Sequence, residues 1–203
     1  ARVLGLGVQQ RLDVKVNTLI RRAPCSPAMD VYSGVLFDAL AYRTLPARAR
    51  RRADETVVVS SALWGLVRPT DLIPYYRLSG SVTLPALGTL ASVWREPVSR
   101  TLAAQPGLIV DLRSGTYQSL GPVPRSCAER AVLVRVLQDV GGRRTIVSHS
   151  NKATKGRIAR AIVSARTQPS TSGEFMAALA DWGFTAEPGP TARAGAPASI
   201  DVI

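Results

Sequence analysis

The run Ser60-Ser61-Ala62-Leu63-Trp64-Gly65-Leu66-Val67-Arg68-Pro69-Thr70-Asp71-Leu72-Ile73-Pro74-Tyr75-Tyr76-Arg77-Leu78 is the densest in chemically useful side chains. It offers hydroxyls at Ser61, Tyr75 and Tyr76, a carboxylate at Asp71, guanidinium groups at Arg68 and Arg77, and the flat ring of Trp64. It leaves Thr56-Val57-Val58-Val59, a β-branched stretch that predicts a buried strand, and α/β folds place ligands beyond strand ends. A second apolar run, Leu108-Ile109-Val110-Asp111-Leu112, ends in Arg113-Ser114-Gly115-Thr116-Tyr117. If the two strands are neighbours, their ends converge on one cleft. Asp71, Arg77, Asp111 and Arg113 would then hold a small phosphorylated or nucleotide-like ligand, with Ser61, Trp64, Arg68, Tyr76, Ser114 and Tyr117 in the lining. Asp71 with Arg77, and Asp111 with Arg113, equally suit internal ion pairs that hold loops. Both readings stand.

No metal or nucleophile machinery stands out, and the cleft suits either an enzyme or a binding protein for such a ligand, the residues leaning against an enzyme. The single histidine, His149, has no second histidine for a ligand pair and no Ser/Asp partner in sequence, so it reads as a polar residue at a strand end. Cys25 and Cys127 have no CxxC or Cys/His spacing; two free thiols fit a reducing cytoplasm better than a disulfide scaffold or zinc site. Gly5-Leu6-Gly7 starts a dinucleotide fingerprint that is never completed. No metal and no cofactor follow from these residues.

Charge speaks for a partner. Lys plus Arg is 26 against 14 acids, a net +12 in 203 residues, with pI near 10.9. Such a field concentrates polyanions, so nucleic acid leads the partner classes, ahead of small anions and anionic membrane. Two clusters carry the excess. Arg43, Arg48, Arg50, Arg51 and Arg52 fall within ten residues. Arg143, Arg144, Lys152, Lys155, Arg157, Arg160 and Arg166 follow in a segment without Asp or Glu. Lys152, Lys155, Arg157 and Arg160, backed by Arg48, Arg50, Arg51 and Arg52, are the expected phosphate contacts. Gly156 would let a phosphate backbone approach, and Ser148-His149-Ser150-Asn151 would cap the helix that carries them. Tyr75, Tyr76 or Trp64 would be offered to unpaired bases. A solvated helix face, or side chains that pair internally and hold the strand–helix corner, are the plain alternatives.

These groups need a frame. Hydrophobic residues are 46% and charged residues 20%, with mean hydropathy +0.08; that excludes wholesale disorder and supports a core. No apolar run reaches the roughly 18–20 residues of a membrane span, so no membrane role is expected. Helical spacing appears weakly over residues 1–24, and more clearly over 28–42 behind Ser26-Pro27, 84–103, 151–165 and 172–182. Strands are predicted over 56–61, 108–112, 131–137 and 145–149. Helices alternate with apolar strands. The class is therefore α/β (mixed α+β): one compact domain over 1–203, with a central, mostly buried sheet surrounded by helices and a loose Ala/Gly/Pro-rich tail segment at 187–199.

Four segments, in order, give a resemblance. Residues Ser61 through Asp71 with Ile73-Pro74-Tyr75-Tyr76-Arg77-Leu78 resemble the central signature of the peroxide stress protein YaaA family. Val31-Tyr32-Ser33-Gly34-Val35-Leu36, Val110-Asp111-Leu112-Arg113-Ser114-Gly115-Thr116-Tyr117 and the basic element from Val147 to Arg160 are similar to its other elements. The Arg-rich composition suits an actinobacterial type of member. The family's opening strand and its Pro-Ser or Ser-Pro-Ala-Lys motif are missing, so a preceding segment or a reduced member is expected. Trp64 stands where tyrosine is usual, and Gly115-Thr116 where an acid is usual. The resemblance implies a cytoplasmic protein of the peroxide-stress response that limits peroxide and iron damage. It also implies DNA binding, with a helix-hairpin-helix-like element between Pro27 and Glu55; the charge argument makes the expected partner double-stranded or distorted DNA, bound without sequence preference.

Overall fold

Thirty of the residues are glycine (16) or proline (14), so regular elements are short and closely punctuated. The computed structural model describes residues 1–7, 11–141, 143–145, 148–190 and 194–203. In chain order the elements are α1 (Arg11–Thr18), β1 (Cys25–Pro27), α2 (Ala28–Val31), α3 (Val35–Leu40), α4 (Ala47–Thr56), β2 (Val59–Ser61), β3 (Gly65–Val67), β4 (Leu72–Pro74), β5 (Thr83–Leu84) and β6 (Gly88–Thr89). Then follow α5 (Leu90–Ala104), β7 (Ile109–Asp111), α6 (Gly115–Ser119), β8 (Ala131–Val136), β9 (Gln138–Val140), β10 (Arg143–Thr145), α7 (Ser148–Ser164), α8 (Ser172–Asp181), β11 (Ala186–Pro188) and β12 (Ala198–Val202). The fold is mixed α/β, as the alternation of patterns predicts. It comprises two compact units, each assembled from three stretches of chain.

The first unit comprises residues 1–32, 54–100 and 113–122. It is built on small antiparallel pairs, β1 with β4, β2 with β3, and β5 with β6. Ala28, Val67 and Ile73 form one buried cluster, with Tyr32 and Tyr76 packed against it. Ala62, Val82, Leu90 and Leu120 form another, against which Trp94 and Tyr117 pack. The β-strand at Cys25–Pro27 corrects the reading of Ser26-Pro27 as a helix start. Ser26 pairs with Ile73 and Pro27 with Leu72. The helical spacing after it is also interrupted: α2 ends at Val31, and α3 begins only after Gly34, whose φ of 104° breaks the helix.

The second unit comprises residues 33–53, 101–112 and 123–203. Its sheet runs in the order β11-β12-β8-β7. β7 and β12 each lie parallel to β8, and β11 runs antiparallel to β12. Val132, Val134, Ile200 and Val202 are almost wholly buried in it, together with Ile158 of α7 and Phe175 and Leu179 of α8. This is the buried sheet with helices that the apolar runs imply. The strand predicted over 145–149 is replaced: β10 ends at Thr145, α7 starts at Ser148, and residues 146 and 147 lie outside the described residues. His149 is therefore helical. The polar lead-in 148–151 lies inside α7, past the capping position. Of the stretch 187–199, Glu187 and Pro188 belong to β11, Ala198 and Ser199 to β12, and 191–193 lie outside the described residues.

Candidate functional site

In the first unit the chemistry gathers at one hairpin. β2 and β3 pair antiparallel with Ser61 opposite Gly65, leaving Ala62, Leu63 and Trp64 as a three-residue loop. Gly65 has φ 75°, the left-handed conformation that such loops use to re-enter the ladder. Ser61, only 1% exposed, accepts the backbone N–H groups of Leu63 and Trp64 at 3.2 and 2.9 Å. Its Oγ also shares a hydrogen bond with the Tyr76 hydroxyl at 2.6 Å. Tyr76 in turn meets the Tyr32 hydroxyl at 3.0 Å, the two rings lying edge to face with centroids 6.4 Å apart. The Trp94 indole N–H donates to the Ala62 carbonyl at 2.9 Å and braces the loop from behind. Sequence reasoning singled out Ser61, Trp64 and Tyr76 but not Tyr32. The signal for Tyr32 was its place in the Val31–Leu36 element.

Burial pushes the phenols of Tyr32, Tyr76 and Tyr117 above their ordinary 10.0, because phenolate is poorly solvated there. The cluster is a set of neutral hydroxyls, without a base. The folded phenols keep protons that the unfolded chain loses above pH 10.0, so the stability they contribute is full below that pH and declines above it. Urea unfolding should show stability falling as pH climbs past that value, with a shallower fall in Tyr76→Phe.

The neighbouring charges serve the backbone. The Asp71 carboxylate accepts the Arg68 backbone N–H at 2.8 Å, closing its own turn, and the Arg68 guanidinium donates to the Glu55 carbonyl. Arg77 is held by its main chain: its N–H donates to Asn17 Oδ1 at 2.9 Å, and its carbonyl accepts from Asn17 Nδ2 at 2.8 Å. Arg113 reaches the Tyr117 carbonyl at 3.4 Å, and Ser114 precedes α6 without a side-chain cap bond. β2 and β7 are not neighbours in any sheet among the described residues. Asp111 lies in the second unit, Asp71, Arg77 and Arg113 in the first, so no one unit holds the four-residue set.

In the second unit the eight predicted phosphate contacts fall into two groups. One is spent on helix ends, where four carbonyls lack intrahelical partners and cations are favoured. Arg160 donates to the Leu40 and Ala41 carbonyls at 2.9 Å each, closing α3. Arg52 donates to Val163 at 3.0 Å and to the Ala165 carbonyl, closing α7. Arg48 reaches the Arg166 carbonyl at 3.3 Å, and Arg50 stacks over the Tyr42 ring at 3.9 Å. Lys155 is 7% exposed and feels the charge of Asp111, itself 4% exposed at the end of β7. Burial lowers the Lys155 pKa, and Asp111 works against that.

The other group is open to solvent. Arg51 on α4, and Lys152 and Arg157 on α7, are exposed; Arg157 donates to the Thr154 hydroxyl at 3.0 Å. Gly156 does something other than admit a phosphate. A Cβ there would stand 2.2 Å from the Leu36 carbonyl oxygen and 2.7 Å from Ala39 Cβ. The missing side chain lets α3 and α7 touch. The stretch from Pro27 to Glu55 holds α2, α3, a 3-10 turn at Tyr42–Thr44 and most of α4; Ala41, in the left-handed conformation, joins α3 to that turn.

Among the described residues no three His, Cys, Asp or Glu side chains gather as a metal site, and no helix is long and apolar enough to cross a membrane. Cys25 and Cys127 are both free thiols, the first exposed and the second buried.

The chain is similar to several bacterial proteins of one family. A UPF0246 protein of Streptomyces coelicolor is 44% identical over 203 residues, covering 99% of this chain and 77% of the relative. One of Corynebacterium efficiens is 44% identical over 190 residues, covering 91% and 74%. One of Ruegeria pomeroyi is 33% identical over 156 residues, covering 73% and 61%. Residues 4–188 match the sequence profile described as peroxide stress protein YaaA. That span contains the Ser61 hairpin, the Asp111 strand end and the basic helix, and with these relatives it makes the chain a member of the peroxide stress protein YaaA family.

Proposed function

We propose that the chain serves the peroxide-stress response by binding DNA without sequence preference, and so limits peroxide and iron damage. The observation that carries this is the second unit's exposed charge. Arg51, Lys152 and Arg157 point to solvent and make no ion pair among the described residues, in a chain of net charge +12. Three uncompensated cations repel one another, and a polyanion relieves that repulsion. They contact phosphates and carry no base reading of their own. Arg48, Arg50, Arg52, Lys155 and Arg160 act behind them by holding the helices that present them. The alternative ligand site of Asp71, Arg77, Asp111 and Arg113 has less support, since the Asp71 carboxylate is engaged with the Arg68 N–H.

Salt dependence tests the proposal. With about three phosphates neutralised, log K for a duplex should fall with log salt at a slope of about −3. Lys152→Ala with Arg157→Ala should flatten that slope by about 2, weaken all sequences alike and leave the melting temperature unchanged. A salt-independent interaction, or none at low salt, would end the DNA reading.

A further inference from the structure

We propose that Trp64 is a stacking plate for an unpaired nucleobase, an inference that rests on the DNA reading and adds a contact phosphate binding does not supply. Trp64 is 40% exposed, while Trp94 and Trp182 are half-buried. The exposed part of this large apolar ring lies in water at a loop tip, where covering it with a flat ligand is favourable. The loop beneath it is unusually well fixed. Ser61 Oγ accepts the Trp64 N–H at 2.9 Å and the Leu63 N–H at 3.2 Å. Trp94 holds the Ala62 carbonyl at 2.9 Å, and a Cβ on Gly65 would stand 2.8 Å from the Trp94 ring. Each residue of the loop is thus tied by its own backbone or by the residue that follows it.

A rigid mount matters because ordering a mobile side chain at a contact costs binding energy. The braced turn has the backbone part of that ordering already made. The indole's flat face accepts any base, because every base has a π-face, which suits a protein without sequence preference. Ser61 Oγ, buried and engaged by the Leu63 and Trp64 backbone N–H groups and the Tyr76 hydroxyl, serves only to fix the loop. Tyr76 cannot serve as the plate, since it is half-buried and its hydroxyl is engaged by both Ser61 and Tyr32. Tyr75 is exposed, but no comparable brace among the described residues holds it.

The test compares the full chain with Trp64→Ala and Trp64→Phe, by anisotropy of dye-labelled oligo(dT) and of a labelled blunt duplex. Thymidine monophosphate serves as competitor. Trp64→Ala should weaken oligo(dT) about tenfold or more, the range found for aromatic–base stacking, while duplex affinity and melting temperature stay at parental values. Trp64→Phe, which keeps a flat ring, should retain most of the oligo(dT) affinity. Competition by the monophosphate that vanishes in Trp64→Ala supports the plate and names a free nucleotide as the source of the base. It would do so even if the duplex showed no salt slope and the DNA reading fell. Equal oligo(dT) affinity in Trp64→Ala and parent overturns the plate. So does an equal loss on oligo(dT) and duplex, or failure of both oligo(dT) and monophosphate to bind the parent.

Discussion

Replacing Lys155 with alanine should remove about 3–5 kcal/mol of stability, the usual cost of taking away one partner of a buried charge pair. Lys155 and Asp111 are 7% and 4% exposed, and the Asp111 charge favours the Lys155 ammonium of α7 against the cost of its burial. Without it the buried Asp111 carboxylate loses a favourable charge contributed by α7. For a chain of this size each kcal/mol shifts the melting temperature by about 2–4 °C, so a fall of about 6–20 °C is expected by calorimetry. Lys155→Met keeps the stem and isolates the charge; adding Asp111→Asn to it should recover part of the loss, because neither buried charge then remains. An unchanged melting temperature in Lys155→Ala would show that Lys155 faces outward, as a phosphate contact would require.

Gly156→Ala should be the second most damaging of these changes. The new methyl meets the Leu36 carbonyl oxygen at 2.2 Å, Ala39 Cβ at 2.7 Å and the Leu40 nitrogen at 3.0 Å. These are main-chain and Cβ atoms of α3, so no rotamer change relieves the clash. The helices must part. Overpacking of this kind costs about 1–3 kcal/mol, against a gain of about 1 kcal/mol from alanine's better helix propensity. The clash is severe enough to put the cost at the top of that range, and parting the helices also strains the bonds from Arg160 to Leu40 and Ala41. Urea unfolding of Gly156→Ala should therefore show a clear net loss. If the variant kept its stability and lost only DNA affinity, Gly156 would be a phosphate-approach residue after all.

What the sequence makes legible depends on how local the cause is. The strand Ile109–Asp111, the strand Ala131–Val136 and the helix Ser172–Asp181 follow from β-branched runs and 3.6-residue spacing within a few positions. The Thr171 side chain caps that helix by accepting the Glu174 N–H at 3.1 Å. The apolar spacing over 28–42 is equally regular, yet Gly34 adopts a positive φ and splits it. Ser26 and Pro27 are drawn into a strand by Ile73 and Leu72, partners that no local pattern announces. The arginines show the same limit more sharply. Their number is plain in the sequence, but what they hold is not, since Arg160 bonds to Leu40 and Arg52 to Val163, far along the chain. Composition alone therefore assigns to a ligand some charge that the fold uses itself. The hairpin residues Ser61, Trp64 and Tyr76 were legible because a strand, a glycine and a proline bracket them within one short segment.

The place of β12 bears on the order of events during synthesis. It lies between β11 and β8, parallel to β8 with Ala198 opposite Val132 and Val202 opposite Val136. A ribosome making this chain releases β8 well before the strand that covers its open side. Until β12 emerges, the edge of β8 opposite β7 has no strand partner, and such open edges invite association with other nascent chains. Non-local parallel pairing is also slow to close. The pairing of β8 with β12 must therefore wait for residues 198–202, which makes this edge the late step in assembling the sheet.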